Sequence, residues 1–375
     1  MNRRTEFTLY QPKSILNKSK RADHWFWTRY SAYPYIGCQH GCHFCYCREE
    51  KYAPYDDPLE FAHHIKVKQN APALLRRALN RTPVDVVFTG DYQPLERIHQ
   101  LSRKMLEVCL ELGFPVFILE RSPLVLRDLN LLQEIQQKSN LVVAFSIISA
   151  PGSPGYEHVN EMENLAPPSV KRFDAMEKLA AAGITTGTCM MPILPGLCDS
   201  DENLSNVIRQ TAGHGGQFVI ASGLTLADKQ RTYFFDILQS RFHDLMNLYE
   251  RLYPIGSYAA REDQWSRLGK RVRELCDQNG IRDRVPRPII PGDKRAFNKR
   301  LVEEMADRSY SLELSGAPAG RVWDWRKAAW AVEDLEQDIR LVHSAMGRKG
   351  ILSMDGVSEN TVDEIVQMIT SRSAT

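Results

Sequence analysis

The feature that most constrains this chain is an alternation of short apolar runs and helix-spaced stretches from Tyr33 to about Leu226. The runs cover residues 35–37, 84–89, 116–119, 141–148, 185–194 and 218–224. Each is β-branched or apolar and has the length of a strand. Between them, residues 71–79, 95–112, 124–137 and 170–182 have helical spacing, and Leu101, Met105, Val108 and Leu112 fall on one helical face. Gly183 stands where a helix stop is expected. Six strands separated by helices predict a parallel sheet with crossover helices. Strands apolar on both faces predict helices on both sides of it. A doubly wound sheet and a partial barrel both satisfy the pattern.

The chain has 375 residues, of which 43% are hydrophobic, enough for one large domain and a smaller one. A charged fraction of 25% places it with globular rather than disordered chains. The net charge of +2 excludes a basic field over the whole surface but not a local basic groove. No apolar run approaches the roughly 20 residues that span a bilayer. The opening MNRRTEFTLYQPKS has basic residues with no apolar segment behind them, so it is not read as a secretory signal. A cytoplasmic protein is expected, and its eight cysteines are then thiols or ligands rather than a disulfide framework.

Four regions follow. Residues 1–30 are a lead-in whose aromatic run, with Trp25, Phe26 and Trp27, is expected to pack on the main body. Residues 31–226 hold the strand–helix alternation. Residues 227–320 are a helical extension, with Phe234, Phe235, Leu238, Phe242, Leu245 and Leu248 as its buried stripe, followed by a linker. Proline, glycine and charge in RVPRPIIPGDKR put a boundary within residues 281–320. Residues 321–375 are helical again, with Trp323, Trp325 and Trp330, and a tight turn near 354–358.

Cys38, Cys42, Cys45 and Cys47 fall within ten residues, in YPYIGCQHGCHFCYCR. Thiolates are soft ligands that suit zinc or iron–sulfur clusters. Cysteines separated by three and then two residues can wrap one face of a cubane, with Gly37 and Gly41 easing the loop. If Cys47 does not bind, one iron keeps an open position. Structural zinc takes four ligands, often as two knuckle pairs. No second pair is present, because Cys109, Cys189, Cys198 and Cys276 are isolated, but Cys47, His40 or His43 could complete a local zinc site. Cys47 is read as a bystander, with redox tuning as the alternative. Asp91 is a candidate N-cap, and Arg121, Glu163 and Arg172 read without further context as a salt-bridge set. Cys109 and Cys189 lie in apolar surroundings and read as core. His63 and His64 read as surface residues.

Cys-x-x-x-Cys-x-aromatic-Cys after a strand resembles the radical S-adenosylmethionine superfamily. Residues 31–225 resemble more closely the group that contains spore photoproduct lyase, through TGDYQPLE at 89–96, LERSPLVLRDLNLL at 119–132, AFSIIS at 144–149, ENLAPPSVKR at 163–172 and MPILPG at 191–196. The resemblance implies a partial six-stranded (β/α) barrel with a small C-terminal helical segment, and sites at the C-terminal ends of strands. It implies a [4Fe–4S] cluster on Cys38, Cys42 and Cys45 and a bound S-adenosylmethionine. Phe44 is placed near the adenine, and Thr89, Gly90 and Asp91 near the amino end. Arg121 faces the carboxylate, Ser146 is a polar cofactor-facing residue, and Glu163 and Arg172 are an acid and a base. An external electron donor such as flavodoxin or ferredoxin is implied as well. The lyase's hydrogen-donating cysteine precedes the tract matching TGD, and here that position is Phe88. Cys198 and Tyr92 are the candidates to replace it, Cys198 being also readable as an ordinary loop thiol.

GRKGILSMDGVSENTVDEIVQMI resembles a helix–hairpin–helix, a motif that binds nucleic-acid backbone through hairpin amides. Gly356 fits the first hairpin glycine, Ser358 replaces the second, and Arg348 and Lys349 add positive charge. A helical pair packing on the barrel or on a partner is the other reading. The expectation is a radical enzyme acting on DNA or RNA, lyase- or repair-like. Its rivals are the same machinery acting on a peptide or small molecule, and a non-catalytic metal-stabilised nucleic-acid-binding protein.

Overall fold

The computed structural model describes residues 5–260 and 262–373. Its strands in chain order are β1 (Glu6–Tyr10), β2 (Asn17–Lys18), β3 (Tyr30–Ser31), β4 (Tyr35–Ile36), β5 (His64–Lys68), β6 (Val87–Phe88), β7 (Val116–Glu120), β8 (Leu141–Ser146), β9 (Thr185–Ile193) and β10 (Val219–Gly223). One sheet runs β10-β9-β8-β7-β6-β3-β2. Its strands from β3 to β10 pair in parallel, and β2 closes the edge antiparallel. That is the six-stranded partial barrel expected, with its helices outside. All six residues of β8 are buried, because neighbouring strands and covering helices enclose it.

The helices follow the predicted periodicity with local breaks. The stretch 95–112 divides into Glu96–His99 and Leu101–Leu112 because Gln100 takes a left-handed φ of 51°. Gly113, at φ 71°, ends the second piece. Ser169–Ala181 stops just before Gly183, as expected. In the helical extension Phe234, Leu238 and Phe242 are buried, and Tyr249 adds to them.

The run 35–37 is not the first barrel strand. β4 pairs antiparallel with β5, which pairs in parallel with β1, in a separate three-stranded sheet. The barrel begins instead at β3, where Ala32 N still donates to Phe88 O at 3.0 Å. The chain leaves that ladder at Pro34, whose carbonyl accepts from Lys68 N at 2.9 Å in the other sheet.

The chain divides into two compact units. One joins the segment ending at Lys18 to Tyr30–Pro286, and the other joins Ser19–Arg29 to the segment beginning at Arg287. The division falls inside the proline-rich stretch 281–320. The aromatic lead-in belongs to the second unit rather than to the barrel. There the Asp23 carboxylate accepts from the amides of Trp25, Phe26 and Thr28 at 2.9, 2.7 and 3.0 Å. Arg287 lies 4.4 Å from the Trp27 ring and pairs with Glu333 at 2.6 Å. The helices of this unit are Ala296–Leu314, Ala319–Glu333, Ile339–Leu352 and Glu359–Ser373. Among the described residues no helix is long and apolar enough to cross a membrane.

Candidate active site

The cysteine loop is shaped by backbone contacts before any ligand is considered. Gly37 has φ 84°, and a Cβ there would come within 2.8 Å of Phe61 O. Gly41 has φ 62° and lies against the Asn164 side chain. Cys38 N donates to Phe61 O at 2.9 Å, Gly41 N to Cys38 O at 3.0 Å and Cys45 N to Cys42 O at 3.3 Å. The buried Arg48 guanidinium donates to Gly41 O, Cys42 O and Pro58 O at 2.8, 3.0 and 2.7 Å. It also lies 4.6 Å from the Phe61 ring and 4.3 Å from the Tyr233 ring. The Tyr233 hydroxyl pairs with His43 Nδ1 at 2.6 Å.

All eight cysteines are free thiols. Burial pushes the Cys38 thiol up, with the charges of Asp91, Cys45 and Cys42 adding to it. Burial likewise pushes Cys42 up to about 11. Cys45 moves down to about 6, chiefly because the Cys47 thiol hydrogen-bonds to it, and Arg48 and Arg121 add positive charge. Cys47 shifts upward as the other half of that bond. Cys42 Sγ also donates to Glu163 O at 3.6 Å.

The strand ends supply the rest. Beyond β6, Thr89 is fully buried and its Oγ1 has no hydrogen-bond partner. Gly90, at φ 100°, passes so close to β7 that a Cβ would meet Ile118 at 3.0 Å. Asp91 does not cap the following helix, which begins at Glu96 without a side-chain cap. Its carboxylate accepts instead from Gln93, and burial raises it to about 7. Glu120 ends β7 and accepts from Tyr92 N at 2.8 Å and Arg121 N at 3.1 Å. Burial, then the neighbouring Asp91, raises it to about 8.

Arg121 follows β7. It lies 5.1 Å from the Phe44 ring and pairs with Glu163 at 2.5 Å. Arg172 is fully buried, chelates the same carboxylate and donates to Ser146 O at 2.8 Å. Burial opposes the charge on Glu163, but Arg172 and then Arg121 hold it below its ordinary range. Ser146 Oγ donates to Met191 O at 3.3 Å. Both ring nitrogens of His40 are buried without partners, and burial, then Arg121 and Arg172, push it down to about 4.

The sequence-predicted residues therefore divide in two. Cys42, Phe44, Arg121, Ser146, Glu163 and Arg172 form one connected set, to which Cys38, Cys45 and Asp91 are tied electrostatically. Thr89 and Gly90 precede Asp91 on the same strand end. Cys198 and Tyr92 have other commitments. Cys198 lies in the hydrophobic core and accepts from Leu194 N at 3.1 Å. The Tyr92 hydroxyl donates to Asp128 at 3.1 Å. Phe88 lies edge-on between Tyr33 and Phe117, with ring centres 5.6 and 5.2 Å away. His63 and His64 are half-buried. Arg48, Gln39, Gln93 and Glu120 were not foreseen. Each lies inside one of the motifs above, but no spacing rule marks a residue whose work is hydrogen bonding to backbone.

These residues fit an iron–sulfur cluster. The buried Cys42 thiol and the half-buried Cys38 and Cys45 thiols interact electrostatically beside Arg121, and Thr89 Oγ1 and His40 are left unpartnered. Among the described residues no three or more His, Cys, Asp or Glu side chains are gathered tightly enough for a single metal ion. A cubane asks less of its thiolates, because each binds a different corner.

No protein-family model matches the chain. The uncharacterized protein Rv2578c of Mycobacterium tuberculosis is 31% identical over 253 residues, covering 66% of this chain and 73% of that protein. The uncharacterized protein MJ0683 of Methanocaldococcus jannaschii is 28% identical over 201 residues, covering 53% and 72%. A solved spore photoproduct lyase superposes with a TM-score of 0.53 at 15% identity, covering 74% of this chain and 81% of that one. The partial barrel places the chain in the fold class of spore photoproduct lyase. Within that class, the chain belongs to the family of Rv2578c.

Proposed function

We propose that the chain carries a [4Fe–4S] cluster on Cys38, Cys42 and Cys45, binds S-adenosylmethionine beside it, and acts as a radical enzyme on a nucleic acid in the cytoplasm. The observation that carries this reading is the single connected set of thiol loop, Arg121, Glu163 and Arg172. When bound and reduced by a donor such as flavodoxin or ferredoxin, such a cluster would supply the electron for reductive cleavage of the sulfonium of S-adenosylmethionine.

The remaining work belongs to side chains. Arg121 keeps its charge, since the nearby thiols and Glu163 outweigh the burial that opposes it, and it can take the cofactor's carboxylate. Glu163 and Arg172 hold that guanidinium in place. Asp91 offers an acid to the cofactor's ammonium group. Phe44, already stacked on Arg121, offers a ring face to the adenine. Burial of the set excludes water from a reactive intermediate.

The nucleic-acid substrate is supported by two likenesses. One is to a lyase structure with bound AdoMet and dinucleoside spore photoproduct, and the other is the hairpin resemblance at Gly356. Phe88 has no transferable hydrogen in its side chain comparable to a thiol's, so the final step differs from one that uses a cysteine there.

The test incubates anaerobically reconstituted protein with dithionite and S-adenosylmethionine, with and without single- and double-stranded oligonucleotides. Cofactor cleavage with salt-sensitive nucleic-acid affinity is the expected result. Cleavage without such affinity moves the substrate to a peptide or small molecule. Zinc in place of iron defeats the enzymatic reading.

A further inference from the structure

Gln93 is fully buried, and its one amide group is engaged on every side. Its Oε1 accepts from Gln39 N at 3.0 Å, and its Nε2 donates to Gly37 O at 3.2 Å. Those two backbone groups flank Cys38. The same Nε2 donates to both carboxylate oxygens of Asp91, each at 3.2 Å. Gln39 returns the contact, because its Oε1 accepts from Leu95 N at 2.7 Å. Two glutamines thus clasp the cysteine loop to the end of β6. The orientation of the Gln93 amide is dictated by its neighbours: a flip would set its NH2 against Gln39 N–H and its oxygen against both Gly37 O and Asp91.

We infer that Gln93 is a positioning residue that couples the Cys38 turn to the Asp91 carboxylate, so that cluster loading and cofactor binding share one side chain. This rests on the reading above, in which Cys38 holds the cluster and Asp91 meets the cofactor's ammonium. A purely structural glutamine would need only one of these contacts. The bridge to Asp91 makes the difference, because among the described residues no other side chain donates a hydrogen bond to the acid, and the amide that does is itself held by Gly37 O and Gln39 N of the loop that carries a cluster ligand. Movement of that loop displaces the acid, and displacement of the acid loosens the loop.

Gln93→Glu separates the two ends of the clasp. The new carboxylate still accepts from Gln39 N, but it faces Gly37 O and Asp91 with lone pairs and a like charge. Wild type and variant are reconstituted and compared by iron and sulfide per chain, by the dissociation constant for S-adenosylmethionine, and by the electron paramagnetic resonance spectrum of the reduced cluster with and without the cofactor. The iron-loaded variant is expected to bind the cofactor at least about tenfold more weakly. It should also lose the cofactor-induced spectral change at concentrations that saturate wild type. Failure of the folded variant to load iron supports the hold on Cys38. An iron-loaded variant with wild-type affinity and spectrum overturns the inference.

Gln93→Ala opens the clasp without adding charge, and its readout requires no iron. In cluster-free protein the rate of Cys38 alkylation, measured by mass spectrometry against buried Cys109, is expected to rise about tenfold. An unchanged rate overturns the clasp even if the cluster assignment stands. A wild type that takes up no iron, but whose Gln93→Ala variant exposes Cys38, sinks the functional reading and leaves the clasp in place.

Discussion

The barrel's strand ends and the C-terminal hairpin both carry arginine–carboxylate pairs, and the two sets differ in what surrounds them. The Arg172 and Glu163 side chains are 0% and 4% exposed. Arg348 is 41% exposed, and its partners Glu359 and Asp363 are 69% and 72% exposed. A buried pair is held by the penalty of leaving either charge alone, whereas an exposed pair competes with water and contributes little. At the barrel the charges therefore define a fixed geometry. At the hairpin they neutralise one another on a surface, and fixed geometry comes from glycine: a Cβ on Gly356, at φ 95°, would lie 2.9 Å from Lys327 O.

Breaking the buried set should have the largest effect on stability. Arg172→Met leaves the buried Glu163 carboxylate with only Arg121 to pair with and is expected to cost about 3 kcal/mol in denaturant unfolding of the barrel unit, the low end for breaking a buried pair. A loss below about 1 kcal/mol would show that water already reaches this pair. Gly356→Ala comes next, at about 1–3 kcal/mol in the second unit, because the substitution meets backbone at a left-handed φ. No change there would mean that the hairpin is free of the helix Ala319–Glu333.

The third contrast is in pH. Glu120 and Asp91 are raised above their ordinary values, to about 8 and about 7. The folded state therefore favours their protonated forms. Their contribution is full below the unfolded carboxylate range and is lost as pH rises through 7 to 8. The midpoint of the cluster-free barrel unit should fall as pH rises from the ordinary carboxylate values of 3.8 and 4.5 up to about 8, and Glu120→Gln should flatten the fall. In the second unit the sign reverses. His24 is lowered from 6.5 to about 4, first by burial and then by Arg287. Its contribution is full above 6.5 and is lost as pH falls toward 4. Differential scanning fluorimetry across both ranges checks the two signs, and equal slopes in wild type and Glu120→Gln would remove Glu120 from the argument. The smallest effect is expected from Arg348→Ala, which should leave the unfolding midpoint unchanged.

The parallel sheet of the barrel could be read in advance because its inner strands are apolar on both faces, as in Leu141–Ser146, whereas its closure toward a barrel rather than a doubly wound sheet was implied only by the resemblance. Its first strand could not. Tyr30–Ser31 is two residues long and sits among aromatics, whereas Tyr35–Ile36 has the stronger pattern and pairs elsewhere. β5, with the sequence HIKVK, alternates well, but its partner β1 lies nearly 60 residues earlier in the chain. In the site, spacing revealed Cys38, Cys42 and Cys45, and the resemblance marked Arg121, Glu163 and Arg172. Gln93, Arg48 and Glu120 act through main-chain groups, and the partner of a main-chain group is known only once the fold is. The split of 19–29 from 30–286 was hidden for the same reason, since Asp23 and Trp27 are engaged by residues of their own turn and by Arg287.

The central claim is that Cys38, Cys42 and Cys45 hold a cluster that activates S-adenosylmethionine. It is tested most directly by measuring 5′-deoxyadenosine released from anaerobically reconstituted protein with dithionite and the cofactor, with Cys42→Ala treated in parallel. The account predicts release by wild type, and neither iron uptake nor release by Cys42→Ala. Equal release by the two proteins, or zinc rather than iron in the wild type, would contradict it.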